Sequence, residues 1–293
     1  MERIIPEEKI IGVDIGGTKI HLGLVQHGTV IREMKIPTSA QSGREQILNE
    51  LIQGIQQFIE PDVLGIGVGV PGLVDEGNGV VFDVQNIPDF TQVPLKKCLE
   101  DYFAKPTYLT NDANSFILGE KLYGRAQPFQ NVVGLTLGTG LGGGIITNNQ
   151  LYSGAFSAAG EFGCIPYRDK TLEDYCSGKF FINQFGISGP EIHARAIKND
   201  PKALTILHQF GEHLGEAIKI IMYVLAPEAI FLGGSVSTCY PYFKAGMQLS
   251  VARFPFAQIK KHVIIERSRM NNGAILGAAA LVYMKSKAEA AKI

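Results

Sequence analysis

The sequence predicts an α/β protein built as two related halves. Three observations carry this. The N-terminal third reads as strands, then a helix, then a strand, which is the order of an α/β sheet. One pattern occurs twice: an apolar run, a glycine turn with a threonine, and a second apolar run. It appears at 10–25 and again at 131–146. At 293 residues, 45% of them hydrophobic, the chain is long enough to bury two cores. The repeat implies an old duplication with a cleft between the halves.

Composition narrows the function classes. A formal net charge of -1 argues against a broad nucleic-acid footprint. No apolar run reaches transmembrane length, and the opening MERIIPEEK lacks the apolar core of a signal peptide. Cys98, Cys164, Cys176 and Cys239 are scattered, without close ligand pairs or a dense disulfide pattern. A reduced, cytoplasmic protein without membrane or nucleic-acid partners is expected.

In the first pattern, Ile10, Ile11 and Val13 lead into a turn at Gly16-Gly17, and Ile20, Leu22, Leu24 and Val25 lead out. Asp14 closes a buried-looking strand, so its charge must be solvated, paired or linked to a metal. Thr18 and Lys19 add a hydroxyl and a cation. The simplest joint use of turn N–H groups, a hydroxyl and an acid is holding phosphate with its Mg²⁺. A hairpin with a solvated tip accounts for the same residues equally well.

Thr29 to Ile36 reads as a third strand. From Gly43 to Glu60, Ile47, Leu48, Leu51, Ile52, Ile55, Phe58 and Ile59 recur at helical spacing, and Pro61 ends the helix. Val63 to Val70 is a buried strand running into Pro71-Gly72. Residues 73–95 read mostly as loop, and Pro94 opens a short helix carrying Leu95, Cys98 and Leu99. Thr107 to Leu109 is a strand ending in TNDANS. Thr110 or Asn111 can cap the helix that follows to about Tyr123, with Asp112 in its first turn. Five polar side chains in six residues exceed what a cap needs, so this stretch is a candidate site.

Asn131 to Leu137 is a strand leading into GTGLGGG. Gly138, Gly140 and Gly143 match the spacing of the dinucleotide fingerprint. That fingerprint needs a helix directly afterwards, and the apolar segment that follows, Gly144 to Thr147, reads as strand. No Gly-Lys-Ser/Thr closes either turn, so the P-loop fails too. Glu161 is the lone acid in GAFSAAGEFG, and Glu173-Asp174 follow in TLEDYCSG. Glu173 or Asp174 can serve as a helix-start charge. Alternatively, Glu161 and Glu173 together suit a polyhydroxyl ligand, because a carboxylate accepts several hydrogen bonds. The longest helix runs from about Leu204 to Leu225. Ala229 to Leu232 is a strand entering Gly233-Gly234, whose lack of side chains permits close approach of a flat ring. Tyr240 to Ser250 reads as helix and Val263 to Ile265 as a strand. A small-residue helix opens at Asn272-Gly273, and Lys285 to Lys292 reads as a polar, frayed end.

Six elements now stand in one order: DIGGTK (14–19), VPGLVD (70–75), LTNDANS (109–115), LGTGLGGG (137–144), FLGGSVS (231–237) and NNGAILGAA (271–279). The ordered set resembles the ROK sugar kinases of the actin-like ATPase superfamily, over about residues 10–283. The resemblance implies two ribonuclease-H-like α/β domains around a central cleft. Residues 1–117, completed by 273–293, would form the smaller domain and 118–272 the larger. It further implies ATP, Mg²⁺ and a hexose, most simply glucose, phosphorylated at its 6-hydroxyl by a homodimer or tetramer. Asp14, Gly16, Gly17, Thr18 and Lys19 match the first phosphate motif, with Asp14 toward the metal. Gly138, Thr139 and Gly140 match the second, and Gly233 and Gly234 match the adenosine motif. Pro71 and Gly72 match an interdomain connection beside the sugar. Asn86, Asn111, Asp112, Glu161 and Glu173 match sugar-contacting positions, with Asp112 as general base.

Two departures stand out. Cys164 occupies the place of a zinc-binding histidine, and the family's cysteine-rich loop is missing, so no structural zinc is expected. Only nine residues precede Ile10, so no N-terminal helix-turn-helix is expected either. The rival readings are an N-acetylhexosamine kinase or fructokinase, a non-catalytic sugar sensor, and a cytoskeletal or chaperone-type ATPase of the same fold.

Overall fold

The structure is a computed structural model that describes residues 7–84 and 87–290. It opens with β1 (Lys9–Ile15), β2 (Lys19–Gln26) and β3 (Thr29–Pro37), followed by α1 (Arg44–Gln56) and β4 (Val63–Val70). Three short strands come next, β5 (Leu73–Asp75), β6 (Val80–Phe82) and β7 (Gln92–Val93), then α2 (Leu95–Phe103). They are followed by β8 (Thr107–Asn111), α3 (Asp112–Leu122), β9 (Val132–Leu137), β10 (Leu141–Thr147) and β11 (Gln150–Leu151). A ribbon of β12 (Pro166–Tyr167) and β13 (Lys170–Thr171) leads into α4 (Leu172–Cys176), α5 (Gly178–Phe185), α6 (Gly189–Ile197) and the long α7 (Pro201–Leu225). The chain closes with β14 (Ala229–Gly233), α8 (Tyr240–Val251), α9 (Ala257–His262), β15 (Ile264–Arg267) and α10 (Gly273–Ala290).

These elements gather into two compact units. The first comprises the chain through Pro128, Gln150–Ala159, and Arg269 onward; the second comprises Phe129–Asn149 and Gly160–Ser268. The expected division at 117 would fall inside α3. In the structure α3 is whole and seats on α10. A Cβ on Gly119 would meet the Gly273 carbonyl at 2.5 Å, and one on Gly277 would collide with the Ser115 carbonyl.

The first unit holds a sheet in the order β3-β2-β1-β4-β8. β1 pairs antiparallel with β2 and parallel with β4, and β4 pairs parallel with β8. β1 and β2 are buried almost throughout, whereas β3, at the edge, alternates between partial and full exposure. α1 covers this sheet with Ile47, Leu51 and Ile55, one apolar stripe at helical spacing. α10 packs directly on β1 and β4. Added Cβ atoms at Gly12 and Gly67 would run into the carbonyls of Ile275 and Ala278. This backbone-to-backbone approach buries Ile275, Ala279 and Val282 completely.

The second unit repeats the plan. Its sheet contains β10-β9-β14-β15 in that order. β9 and β10 are antiparallel, and β9, β14 and β15 run parallel. The matching pairing rules in both sheets are the structural counterpart of the repeated glycine-turn pattern. α7 begins where Asp200 caps Lys202 N–H and Pro201 takes the first helical position, and it ends at Ala226 in the left-handed region. Its Phe210 joins Phe181 and Phe243 with ring centroids 5.1 and 5.3 Å apart.

As expected, residues 73–95 are mostly loop, but they also carry a small three-stranded sheet, β5-β6-β7. Its strands are two or three residues long, too short to show a period, yet Val74, Val81 and Val93 are fully buried. One reading is corrected: from Lys285 to Ala290 the chain continues α10, while the rest of that expected frayed end lies outside the described residues. Tyr108 Oη donates to Glu289 at 2.8 Å and Lys285 lies 3.3 Å from Glu76, so polar residues there meet partners on the surface of the unit.

The close seating of α10 predicts a steep penalty for bulk. Gly277→Ala should destabilise the protein by about 1–3 kcal/mol through overpacking. Gly189→Ala, at a position with nothing within 4 Å, should stay near wild type. Urea midpoints of the two variants check this.

Candidate active site

Parallel strands of α/β sheets carry function at their carboxyl ends, and in the first unit two acids stand there. Asp14 lies near the end of β1, in register with Gly69 of β4, and Gly69 is in register with Thr110 of β8. Asp112 starts α3 one residue after β8 ends. Gly69 carries no side chain between them, and a Cβ there would meet Ser115 Oγ at 2.6 Å.

The two carboxyls share one electrostatic environment. Desolvation first, and the Asp112 charge after it, push Asp14 up to about 7 against the opposing pull of Lys19. Desolvation also raises Asp112, while the N–H groups of Ala113 and of Asp112 itself pull it down. Ala113 N–H donates to Asp112 Oδ1 at 2.9 Å, which fixes the carboxyl at the helix N-terminus. Asn111 is the cap: its Oδ1 accepts from Ala113 N–H at 2.8 Å, and its Nδ2 donates to the Gly72 carbonyl at 3.1 Å. Thus Asn111 ties Gly72, in the left-handed region at φ 94°, to the start of α3.

The β1–β2 turn is held from behind. Gly16 N–H donates to the Lys19 carbonyl at 2.9 Å, and Thr38 Oγ1 donates to the Gly16 carbonyl at 2.7 Å. Thr18 and Lys19 are exposed at its tip, and Gly16 and Gly17 are half-buried. Neither glycine has a positive φ. A Cβ on Gly16 would lie 3.1 Å from the Lys19 carbonyl, so close packing within the turn, not an unusual conformation, favours glycine there.

In the second unit, Gly138, Thr139 and Gly140 form the β9–β10 turn, closed by Gly138 N–H to the Gly140 carbonyl at 3.0 Å. A Cβ on Gly138 would meet nothing within 4 Å. The fold does not require glycine there, and the space is left open beside the turn. Glu173 reaches this turn from α4, with Oε2 accepting Leu141 N–H at 3.0 Å and Oε1 lying 2.5 Å from Lys179 Nζ. Asp174 is the helix-start charge, closing a capping box with Thr171. Glu161 is exposed, with Cys164 Sγ 3.8 Å from its Oε2, and burial and the nearby Glu161 and Glu173 charges push that thiol up. Gly160 and Phe162 pack on Gly143, which brings the segment carrying Glu161 against β10.

Gly233 ends β14, and Gly234, at φ 81°, lies against the Leu137 backbone, so packing and conformation both demand glycine there. Asn86 lies outside the described residues. Sequence reasoning missed Glu76. Its Oε1 accepts from Thr110 Oγ1 at 2.8 Å and Ser157 Oγ at 3.0 Å, which steadies the end of β8 just before Asn111 and Asp112. Its only sequence signal is an acid in the turn VDEGN.

Among the described residues, no group of three or more His, Cys, Asp or Glu is placed to hold a metal, and no helix is long and apolar enough to cross a membrane. Asp14 and Asp112 still suit magnesium, which takes one or two carboxylates and completes its shell with water and phosphate oxygens. Their desolvation and mutual repulsion leave them short of positive charge.

The chain matches the ROK family over residues 10–285 and belongs to it. Its class is that of the ATP-dependent sugar kinases, with the two-domain actin-like ATPase fold. It is 27% identical to a glucokinase from Thermotoga maritima, covering 95% of this chain and 98% of that one. It is 30% identical to a beta-glucoside kinase from Listeria innocua, covering 92% and 96%. A ROK family glucokinase from Streptomyces griseus, solved in complex with glucose and AMPPNP, superposes with a TM-score of 0.83. That match has 29% identity and covers 94% of this chain and 99% of that one.

The raised Asp14 carboxyl makes stability depend on pH with a definite sign. A carboxyl shifted up on folding favours the folded state while protonated, and that advantage is lost as pH rises from about 4, its unfolded value, through about 7. In chelator-treated protein, Asp14→Asn should therefore raise Tm by a few degrees at pH 8 and leave it nearly unchanged at pH 4. Thermal scans at the two pH values check this.

Proposed function

We propose that this enzyme transfers the γ-phosphoryl group of ATP to the 6-hydroxyl of a hexose, with glucose as the acceptor. The observation that carries the reading is the pair Asp14 and Asp112, two desolvated carboxyls at the ends of β1 and β8, on either side of β4, with the glycine turn of β1–β2 following Asp14. Relatives and a superposable structure named as glucokinases support glucose as the acceptor.

A sugar hydroxyl is a weak acid and a poor nucleophile. Asp112 would accept its proton as the oxygen bonds to phosphorus, and desolvation, by raising its pKa, makes its carboxylate a stronger base. The helix-start hydrogen bond from Ala113 holds one oxygen and leaves the other for the substrate. Asn111 has one amide N–H beyond the one given to Gly72, available to a sugar hydroxyl. Glu161, Glu173 and Asn86 would take the remaining hydroxyls. N–H groups of the turns at Gly16-Gly17 and Gly138–Gly140 would face the phosphates, where fixed dipoles stabilise developing charge without reorganising. Gly233 and Gly234 would lie beside the adenosine. Asp14 would hold magnesium or its waters, with Lys19 nearby; the ion supplies charge neutralisation on the phosphates. The same reading has the enzyme act in the cytoplasm as a homodimer.

Coupled ADP release with ATP and Mg²⁺ tests the reading across glucose, mannose, fructose, N-acetylglucosamine, N-acetylmannosamine and a β-glucoside. Glucose should be the preferred acceptor, and preference for another sugar would reassign the substrate. Asp112→Ala should lower kcat by roughly 10²-fold or more. Near-normal turnover in that variant would remove Asp112 from the role of base. Glu161→Gln should raise the sugar KM with a smaller change in kcat. Unaltered sugar KM and kcat would make Glu161 structural.

A further inference from the structure

The second glycine turn is braced by a small polar assembly that its phosphate role does not by itself require. Three of the turn's backbone groups are held from one side. The Gly138 carbonyl accepts Gly178 N–H at 2.8 Å, and the Thr139 carbonyl accepts Ser177 Oγ at 3.0 Å. The Leu141 N–H donates to Glu173 Oε2 at 3.0 Å. Ser177 in turn caps α5 by accepting Lys179 N–H at 3.1 Å. Lys179 Nζ lies 2.5 Å from Glu173 Oε1, so one residue joins the assembly through both its backbone and its side chain. A Cβ on Gly140 would strike Glu173 Oε2, so the carboxylate sits directly on the turn.

Glu173 is therefore committed at both oxygens, one to the turn and one to Lys179. We propose that Lys179 is a positioning residue: by holding Glu173 on the Leu141 N–H it sets the turn for phosphate, and by competing with a sugar hydroxyl for Glu173 it couples sugar binding to nucleotide binding. This deepens the sugar-kinase reading and rests on it for the ligands' identities. The physical logic is short. The carboxylate is 28% and the ammonium 43% exposed, so the pair contributes little to stability and can exchange partners readily. A sugar hydroxyl donating to Oε1 draws that oxygen's charge away from Lys179. The ammonium then stands unpaired beside a turn that faces phosphates, and added anionic charge is favoured there. By linkage, nucleotide bound at the turn favours the same exchange and tightens sugar binding by the same factor.

Titration calorimetry on the full chain with AMPPNP, in the absence and presence of saturating glucose, tests this. In the wild type glucose should tighten AMPPNP binding about fivefold or more. In Lys179→Met the factor should fall to near one, and Lys179→Arg should restore it. A purely structural role would lower both affinities together and leave their ratio intact. Amide exchange at Leu141, faster in Lys179→Met and normal in Lys179→Arg, reports the brace independently of any ligand. Wild-type coupling together with wild-type Leu141 protection in Lys179→Met would overturn the proposal. If no sugar in the panel binds or turns over, yet Leu141 loses protection in Lys179→Met, the sugar-kinase reading fails and the brace stands.

Discussion

The first unit depends on a contact that only glycine allows. The carbonyls of Ile275 and Ala278 in α10 lie where side chains of Gly12 and Gly67 would be. With the helix this close to the sheet, apolar side chains around it close the core without a gap, at the density of protein interiors. α3 then sits on α10 through two more glycines, Gly119 and Gly277. Because Asp112 is the first residue of α3, its place relative to Asp14 is set by backbone meeting backbone. Such contacts have no rotamers to vary, which suits a pair of groups that must stay in fixed relation.

The two halves share a plan but divide the chemistry. The first half places a carboxyl near its leading strand end, at Asp14, and a second at Asp112. The second half has Thr136 and Leu137 at the end of its leading strand, and no carboxyl follows in the turn, only backbone N–H groups and the Thr139 hydroxyl. One half therefore carries the carboxyls, and the other a neutral turn braced by an ion pair. The raised Asp14 carboxyl shows that the first half is held in a state it would relax by taking up a proton or a cation. Stored unfavourable electrostatics of this kind is common where a site awaits a ligand of opposite charge.

Most of the scaffold was legible because its signals are long. The stripe of Ile47, Leu51 and Ile55, the runs of β1 and β4, and the long helix expected from about Leu204 to Leu225 all state their structure locally. The order of glycine and acid motifs pointed to the family before any contact was known. What stayed hidden was nonlocal or short. The β5-β6-β7 sheet has no readable period. Glu76 matters through Thr110 and Ser157, distant in the chain. Lys179 matters through Glu173, and from the sequence Glu173 showed only as a helix-start charge or a sugar contact. The full extent of α3 in the first unit follows from its contact with α10, some 150 residues away in sequence.

That contact also orders the protein's synthesis. A nascent chain that has emerged through Asn111 holds all five strands of the first sheet, but the surface of β1 and β4 that takes α10 is still bare. Gly12 and Gly67 face solvent until the last helix leaves the ribosome, and α3 has nothing to sit on. The second unit, formed from Phe129–Asn149 and Gly160–Ser268, is complete in the chain before that moment. The unit whose strands come first in the chain order is therefore the one completed last, by α10, with an apolar sheet face exposed in the interval. Such a chain has most need of a chaperone in the time between its first residue and its last.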